Sequence, residues 1–126
     1  MFLVDTNVIS EARKGKRANP GVQEFFQSSD PADLYLAVQT IGEIRRGLEN
    51  LRHREDLAQA GQLENWLDLV VTDYADRILG FDGECAQLWG CLMSPNQQHP
   101  IDKQIAAVAL IHDLTVVTRN GDDFRG

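Results

Sequence analysis

Long apolar runs are what this sequence most plainly lacks. Across its 126 residues none approaches the roughly 20 apolar positions of a membrane-spanning helix. No basic segment precedes an apolar stretch at the start, so a secretory signal peptide is not expected. Cysteine is scarce: Cys85 and Cys91 stand six positions apart, about 240° around a helix axis, and share no face. They read as core-type thiols of a reduced, cytoplasmic protein. Histidine is scarcer than a zinc site wants, since His53, His99 and His112 are scattered and no Cys or His falls at zinc spacing. Positive charge is also in short supply, with 12 basic against 19 acidic residues and a net charge of −7, which excludes bulk, non-specific binding to a polyanion. Repeats, low-complexity tracts and linkers are missing too, leaving one domain over residues 1–126.

What is present is unevenly placed. Eight of the 12 basic residues fall in two stretches, "RKGKR" (Arg13, Lys14, Lys16, Arg17) and "RRGLENLRHR" (Arg45, Arg46, Arg52, Arg54). From Glu55 to Glu84 there are eight acids against the single Arg77. Such runs are by default solvated helix faces, but here one part of the surface can accept phosphates while another repels them.

Apolar periodicity alternates between short strands and helices. "FLVD" reads as a buried strand and "TNVISEARKG" as a helix closed by Gly15. A second helix is expected at "GVQEFFQSS", a strand at "DLYLAV", and helices at "TIGEIRRGLENL" and "REDLAQAGQLENWLDLVV", the latter burying Leu57, Leu63, Leu67 and Val70 on one face. "RILGF" is extended, "DGECAQLWGCLM" helical, "DKQIAAVALIHD" a helix apolar nearly all round, and "LTVVT" a last strand before "RNGDD". Strands alternating with helices imply a parallel sheet covered on both faces through right-handed crossovers.

The acids at the strand-to-helix transitions are the informative residues. Asp5 ends the first strand, Glu43 lies early in the helix after "DLYLAV", Asp102 opens the apolar helix, and Asp122 and Asp123 follow the last strand. In a parallel sheet the carboxyl ends of the strands and the N-termini of the following helices lie at one edge, so all of these acids meet at one rim. Singly each has a plain structural explanation. "TIGE" matches a capping box with Thr40 as N-cap and Glu43 three residues on. Asp102 suits an N-cap or first helical turn, Asp5 a helix cap, and Asp122 or Asp123 an Asx-turn. Jointly they are harder to explain, because carboxylates within about 4–6 Å repel and take up protons unless a cation neutralises them. An oxygen-only cluster without His or Cys suits a hard divalent ion, Mg²⁺ or Mn²⁺.

The stretches "VDTNVIS", "IGEIRRGLENL" and "DKQIAAVALIHDLTVVTRNGDDF" together resemble the PIN-domain ribonucleases, specifically the VapC/FitB-like toxins of bacterial toxin–antitoxin systems. The motifs occur in the family's order from end to end. The resemblance implies a PIN-like three-layer α/β/α fold with a central parallel sheet of four to five strands. It implies a Mg²⁺-dependent endoribonuclease cleaving structured RNA such as tRNA or rRNA. Its partners would be a cognate antitoxin, which wraps the toxin and binds operator DNA, and a second copy of the chain. The acidic residues of the family carry over onto Asp5, Glu43, Asp102 and Asp123, with Asn120 and Phe124 framing the last. Thr6, Asn7, Thr118 and Asn120 match the polar positions around the metal. Relatives continue past the D-F pair into a further short strand, whereas this sequence stops at Gly126.

Chemistry suggests roles for these residues. Asp5, Asp102 and Asp123 coordinate the metal, and Glu43 orients or deprotonates the attacking water. Arg13, Arg45, Arg46 and the "KGKR" loop are the candidates to hold RNA backbone outside the acidic pocket. The antitoxin is expected to place an arginine among the acids, and the dimer to use the apolar positions of "AGQLENWLDLV" or the first helix.

The main rival is a signal-receiver domain, which shares the length, the parallel sheet and an acidic Mg²⁺ pocket. It requires an acid pair after the first strand and a Lys after the last; here Asp5 is followed by Thr6 and Asn7, and no Lys follows "LTVVT". A haloacid-dehalogenase-type phosphatase needs a second Asp where Asn7 stands.

Overall fold

The computed structural model describes residues 1–119. Within them β1 (Phe2–Val4) leads into α1 (Thr6–Ala12), a 3₁₀ turn (Gly15–Arg17) and α2 (Pro20–Ser28). β2 (Leu34–Ala37) runs into α3 (Val38–His53), followed by α4 (Leu57–Asp73), β3 (Ile78–Leu79), α5 (Gly83–Met93), α6 (Pro100–Ile111) and β4 (Thr115–Val117). All pairings are parallel, in the order β3-β2-β1-β4. Phe2 pairs with Leu34 on one side and with Thr115 on the other, so the first strand of the chain is interior to the sheet.

Alternation along these short strands divides the core in two. Val4, Leu34 and Leu36 face a cluster built with Val8, Ile44, Leu48, Leu67 and Val70 of α1, α3 and α4. Leu3 and Ala37 point the opposite way, onto Cys85 of α5 and Ile105, Val108 and Ala109 of α6. A strand buried on both faces must be apolar at nearly every position, which is why "FLV" and "LYLA" are. The result is the three-layer α/β/α arrangement expected from the sequence, with four strands among the described residues.

Several local expectations are corrected. The first helix ends at Ala12 rather than at Gly15, which instead takes a left-handed φ of 59° to open the 3₁₀ turn. Leu57 is 67% exposed, because it opens α4 directly after the Asp56 cap and has no preceding turn to pack with; Leu67 and Val70 are buried. α6 is not apolar all round to the same effect, since Leu110 faces outward.

The largest correction concerns α3. It starts at Val38, with Ala37 in the cap position and no side chain capping it. Thr40 is therefore inside the helix, fully buried, and Glu43 lies beyond the first turn. The capping-box explanation of Glu43 fails, because β2 passes straight into α3 with no loop to hold an N-cap side chain.

Candidate active site

Asp5 stands where β1 ends, held by the strand beside it. Its backbone N–H donates to Val117 O at 2.9 Å, so the last residue of β4 fixes the point at which β1 turns into α1. The side chain is the N-cap of α1: Oδ1 accepts from Thr6 N at 2.8 Å. Oδ2 accepts from Thr118 Oγ1 at 3.0 Å, the residue just past β4. The residue is only 4% exposed. Burial pushes its carboxyl above the usual aspartate range, the two hydrogen bonds pull it down, and the charges of Asp102 and then Glu43 push it up again. Asp5 thus caps a helix and also lies close enough to Asp102 and Glu43 for their charges to act on it.

Glu43 is tied to the same place through Thr6, whose hydroxyl lies 2.7 Å from Glu43 Oε1 and 3.0 Å from Thr40 Oγ1. A hydroxyl has one proton, and the shorter, charge-assisted bond to the carboxylate takes it. Thr40 then donates to Thr6, completing a chain Thr40–Thr6–Glu43 that joins α3 to α1. Neither the helix position of Thr40 nor its bond was legible in the sequence, where it looked like a cap.

Asp102 lies in the first turn of α6, whose cap position is taken by His99 in a left-handed conformation with φ 57°. It is a first-turn acid and not the N-cap. His99 Nδ1 stands 3.8 Å from Asp102 Oδ2 as an exposed pair, so the acids are not free of imidazole as the sequence suggested. Nearby, Gln39 of α3 donates from Nε2 to Gln104 Oε1 of α6 at 3.2 Å, while its own Oε1 is buried with no partner among the described residues. Asp123 and Asn120 lie outside the described residues.

The structure therefore brings Asp5, Thr6, Glu43 and Thr118 into direct hydrogen-bond contact, with Asp102 near enough for its charge to act on Asp5. Among the described residues no three metal-binding side chains close into a cage by themselves. The donors nonetheless suit a hard cation: they are carboxylates and hydroxyls, and the most buried of them carries a charge that burial and two neighbours all oppose.

The remaining candidates sit elsewhere. Asn7 lines a separate cavity with Ser10, Glu11, Lys14 and Arg119. Arg45 is not free to take a phosphate, because it bridges α3 to α4 through Glu64 at 2.7 Å and also meets Glu49 at 3.4 Å. Arg52 pairs with the same two acids. Arg46 is exposed one position away, and Arg13 is exposed at the end of α1. One acid escaped sequence reasoning altogether. Glu11, 8% exposed, receives Lys14 Nζ and Arg119 Nη1 on Oε1, each at 3.0 Å, and Asn19 N on Oε2 at 2.8 Å.

Known proteins are similar to this chain in sequence and fold. Plasmid stability protein StbB of Pseudomonas syringae pv. tomato is 31% identical over 98% of this chain and 91% of its own length. Toxin FitB of Neisseria gonorrhoeae is 33% identical, again over 98% of this chain and 91% of its own. Among solved structures, FitAB bound to the IR36 DNA fragment superposes with a TM-score of 0.79 at 29% identity, covering 98% of this chain and 88% of the matched one. The PIN domain model matches residues 2–126, and with this sheet order the chain belongs to the PIN domain family.

Proposed function

We propose that this protein is a Mg²⁺-dependent endoribonuclease toxin of the VapC/FitB type, with Mn²⁺ as an alternative ion. The observation that carries the reading is the meeting of Asp5 and Glu43 through Thr6, at a rim where Asp102 also acts on Asp5. The receiver alternative needs a second acid beside Asp5, where Thr6 and Asn7 stand.

Asp5 and Asp102, together with Asp123, would hold the ion, which when bound supplies positive charge to lower the pKa of a water and to balance a phosphate. The protein's own groups do the positioning. Thr118 and the Thr6 N–H fix the plane of the Asp5 carboxylate, and the Thr6 hydroxyl fixes one oxygen of Glu43. Glu43 keeps Oε2 without a protein partner among the described residues, available to take a proton from water as it attacks phosphorus. The P–O bond opposite breaks, and the leaving oxygen takes its proton from solvent water.

Partners follow the same reading. FitB is called a toxin, and FitAB has been solved on DNA; by likeness we assign this chain a DNA-binding antitoxin that closes the acid rim with an arginine, whose fork pairs with carboxylates. A homodimer in the cytoplasm is part of the proposal, with the exposed Leu69 and Val71 of α4 as the apolar contribution. Light scattering that finds a monomer at high concentration refutes that part.

Incubation with total RNA, with Mg²⁺ and with EDTA, tests the activity, and Glu43→Gln tests the site. Cleavage is expected with Mg²⁺ alone, and the substitution is expected to lower turnover by a factor of about 10²–10⁴ with the melting temperature almost unchanged, because the amide oxygen still accepts from Thr6. Cleavage that persists in EDTA, or a variant with full turnover, overturns the reading.

A further inference from the structure

An RNA nuclease with an acid rim must hold a polyanion beside its own carboxylates, and several of its cations are already engaged elsewhere. Arg45 and Arg52 are paired with Glu49 and Glu64, and Lys103 donates to Asn96 O. Two adjoining cavities on α1 are built differently. The first, about 380 Å³, is lined by Asn7, Ser10, Glu11, Lys14 and Arg119. The second, about 450 Å³, is lined by Arg13, Lys14, Arg17, Gln59 and Gln62, the last two from α4. Lys14 lines both, so the two meet at its side chain and the cations follow one another along this face.

That path begins at the acids. Asn7 follows Thr6, which bonds Glu43, and Arg119 follows Thr118, which bonds Asp5. Its first cations are held in place, since Lys14 and Arg119 share one oxygen of the buried Glu11 while Asn19 N holds the other. Two cations on one carboxylate leave a net positive charge, and each keeps donors beyond the one that Glu11 receives. Cations fixed before the ligand arrives lose less freedom on binding. Arg13 and Arg17 further along have no acidic partner among the described residues.

We propose that this path, from Asn7 and Arg119 through Lys14 to Arg13 and Arg17, holds the backbone phosphates of a single RNA strand next to the scissile one. The amides of Asn7, Gln59 and Gln62 and the hydroxyl of Ser10 supply neutral donors and acceptors for sugar and base edges. Glu11 acts as a positioning residue for Lys14 and Arg119. The proposal rests on the nuclease reading above for the identity of the strand.

The test uses the full chain carrying Asp5→Asn, in EDTA, with a fluorescein-labelled 2′-O-methyl single-stranded oligonucleotide of mixed sequence, so that binding is read without cleavage. Anisotropy titrations at several salt concentrations give the slope of log K against log salt. Adding Lys14→Gln or Arg13→Gln is expected to flatten that slope by about 0.7 for each phosphate no longer neutralised. Arg54→Gln, a cation at the far end of α3, is expected to leave it unchanged. The proposal is overturned if the probe does not bind, if Lys14→Gln and Arg13→Gln keep the full slope, or if Arg46→Gln or Arg54→Gln flattens it as much. RNA cleavage by the parent chain, measured separately, reports on the nuclease reading itself.

Discussion

Asp5 Oδ2 accepts a 3.0 Å hydrogen bond from Thr118 Oγ1, joining the ends of two neighbouring parallel strands across 113 positions of sequence. Thr118→Val keeps the shape and removes the donor. Because that bond pulls the Asp5 carboxyl down, its loss is expected to raise the carboxyl further and to move the acid limb of the cleavage profile to higher pH. A cost of about 1–3 kcal/mol in unfolding free energy is expected as well, since a buried acceptor loses a partner. Thr118→Ser should restore both. A pH–rate profile that does not move would show that Thr118 only packs.

Asp5 carries a second expectation, in the opposite direction from a carboxylate held by ion pairs. Its value is raised in the folded chain, so over the window between the ordinary aspartate value and the raised one the folded state keeps a proton that the unfolded state has lost. Stability in EDTA therefore falls as pH rises through that window. Asp5→Asn should abolish this fall, melt at or above the parent temperature near neutral pH, and cleave no RNA. Added Mg²⁺ should raise the parent's melting temperature and not the variant's, as a ligand bound only by the folded state does. Four melting curves decide it. A variant less stable in every condition, with Mg²⁺ irrelevant, would reduce Asp5 to a helix cap.

Glu11 should show the reverse pH signature. The Lys14 ammonium on its carboxylate, and then the Asn19 N–H, hold it below the usual glutamate range. Its contribution is present above that range and lost as pH falls through the folded-state value. Acid melting of Glu11→Gln should therefore be flatter than that of the parent as pH falls through and below the usual glutamate range. If the two acid limbs coincide, the contacts of Glu11 are not formed in solution.

The sheet and its acid rim were legible because they depend on local features. Apolar triplets stopping at Asp5 and beginning again after a helix-length interval fix both the strands and the edge at which their acids meet. The misreadings arise where the chain gives no local sign. β2 enters α3 at Ala37 without a loop, so the Thr40–Glu43 spacing imitates a cap that does not exist. Arg45 looks like a free helix cation until Glu64, 19 positions away, is brought against it. Glu11 looks like an ordinary surface acid of an amphipathic helix. Its buried state comes from Asn19 and Arg119, 8 and 108 positions on, which no periodicity announces. Asp123 and Asn120 lie outside the described residues, so their assignment rests on the motif alone.

Placing the first strand inside the sheet has a consequence in time. Synthesis runs from the N-terminus, and β1 emerges before both of its neighbours, β2 first and β4 last. Val117 and Thr118, which fix the backbone and the carboxylate of Asp5, are among the later residues to appear. A nascent chain thus carries Asp5, Thr6 and Glu43 before the strand that aligns the first of them has been made. For a protein proposed to cut RNA, the ribosome that makes it is the nearest RNA, and this strand order delays completion of the cutting site until β4 and Thr118 have been made.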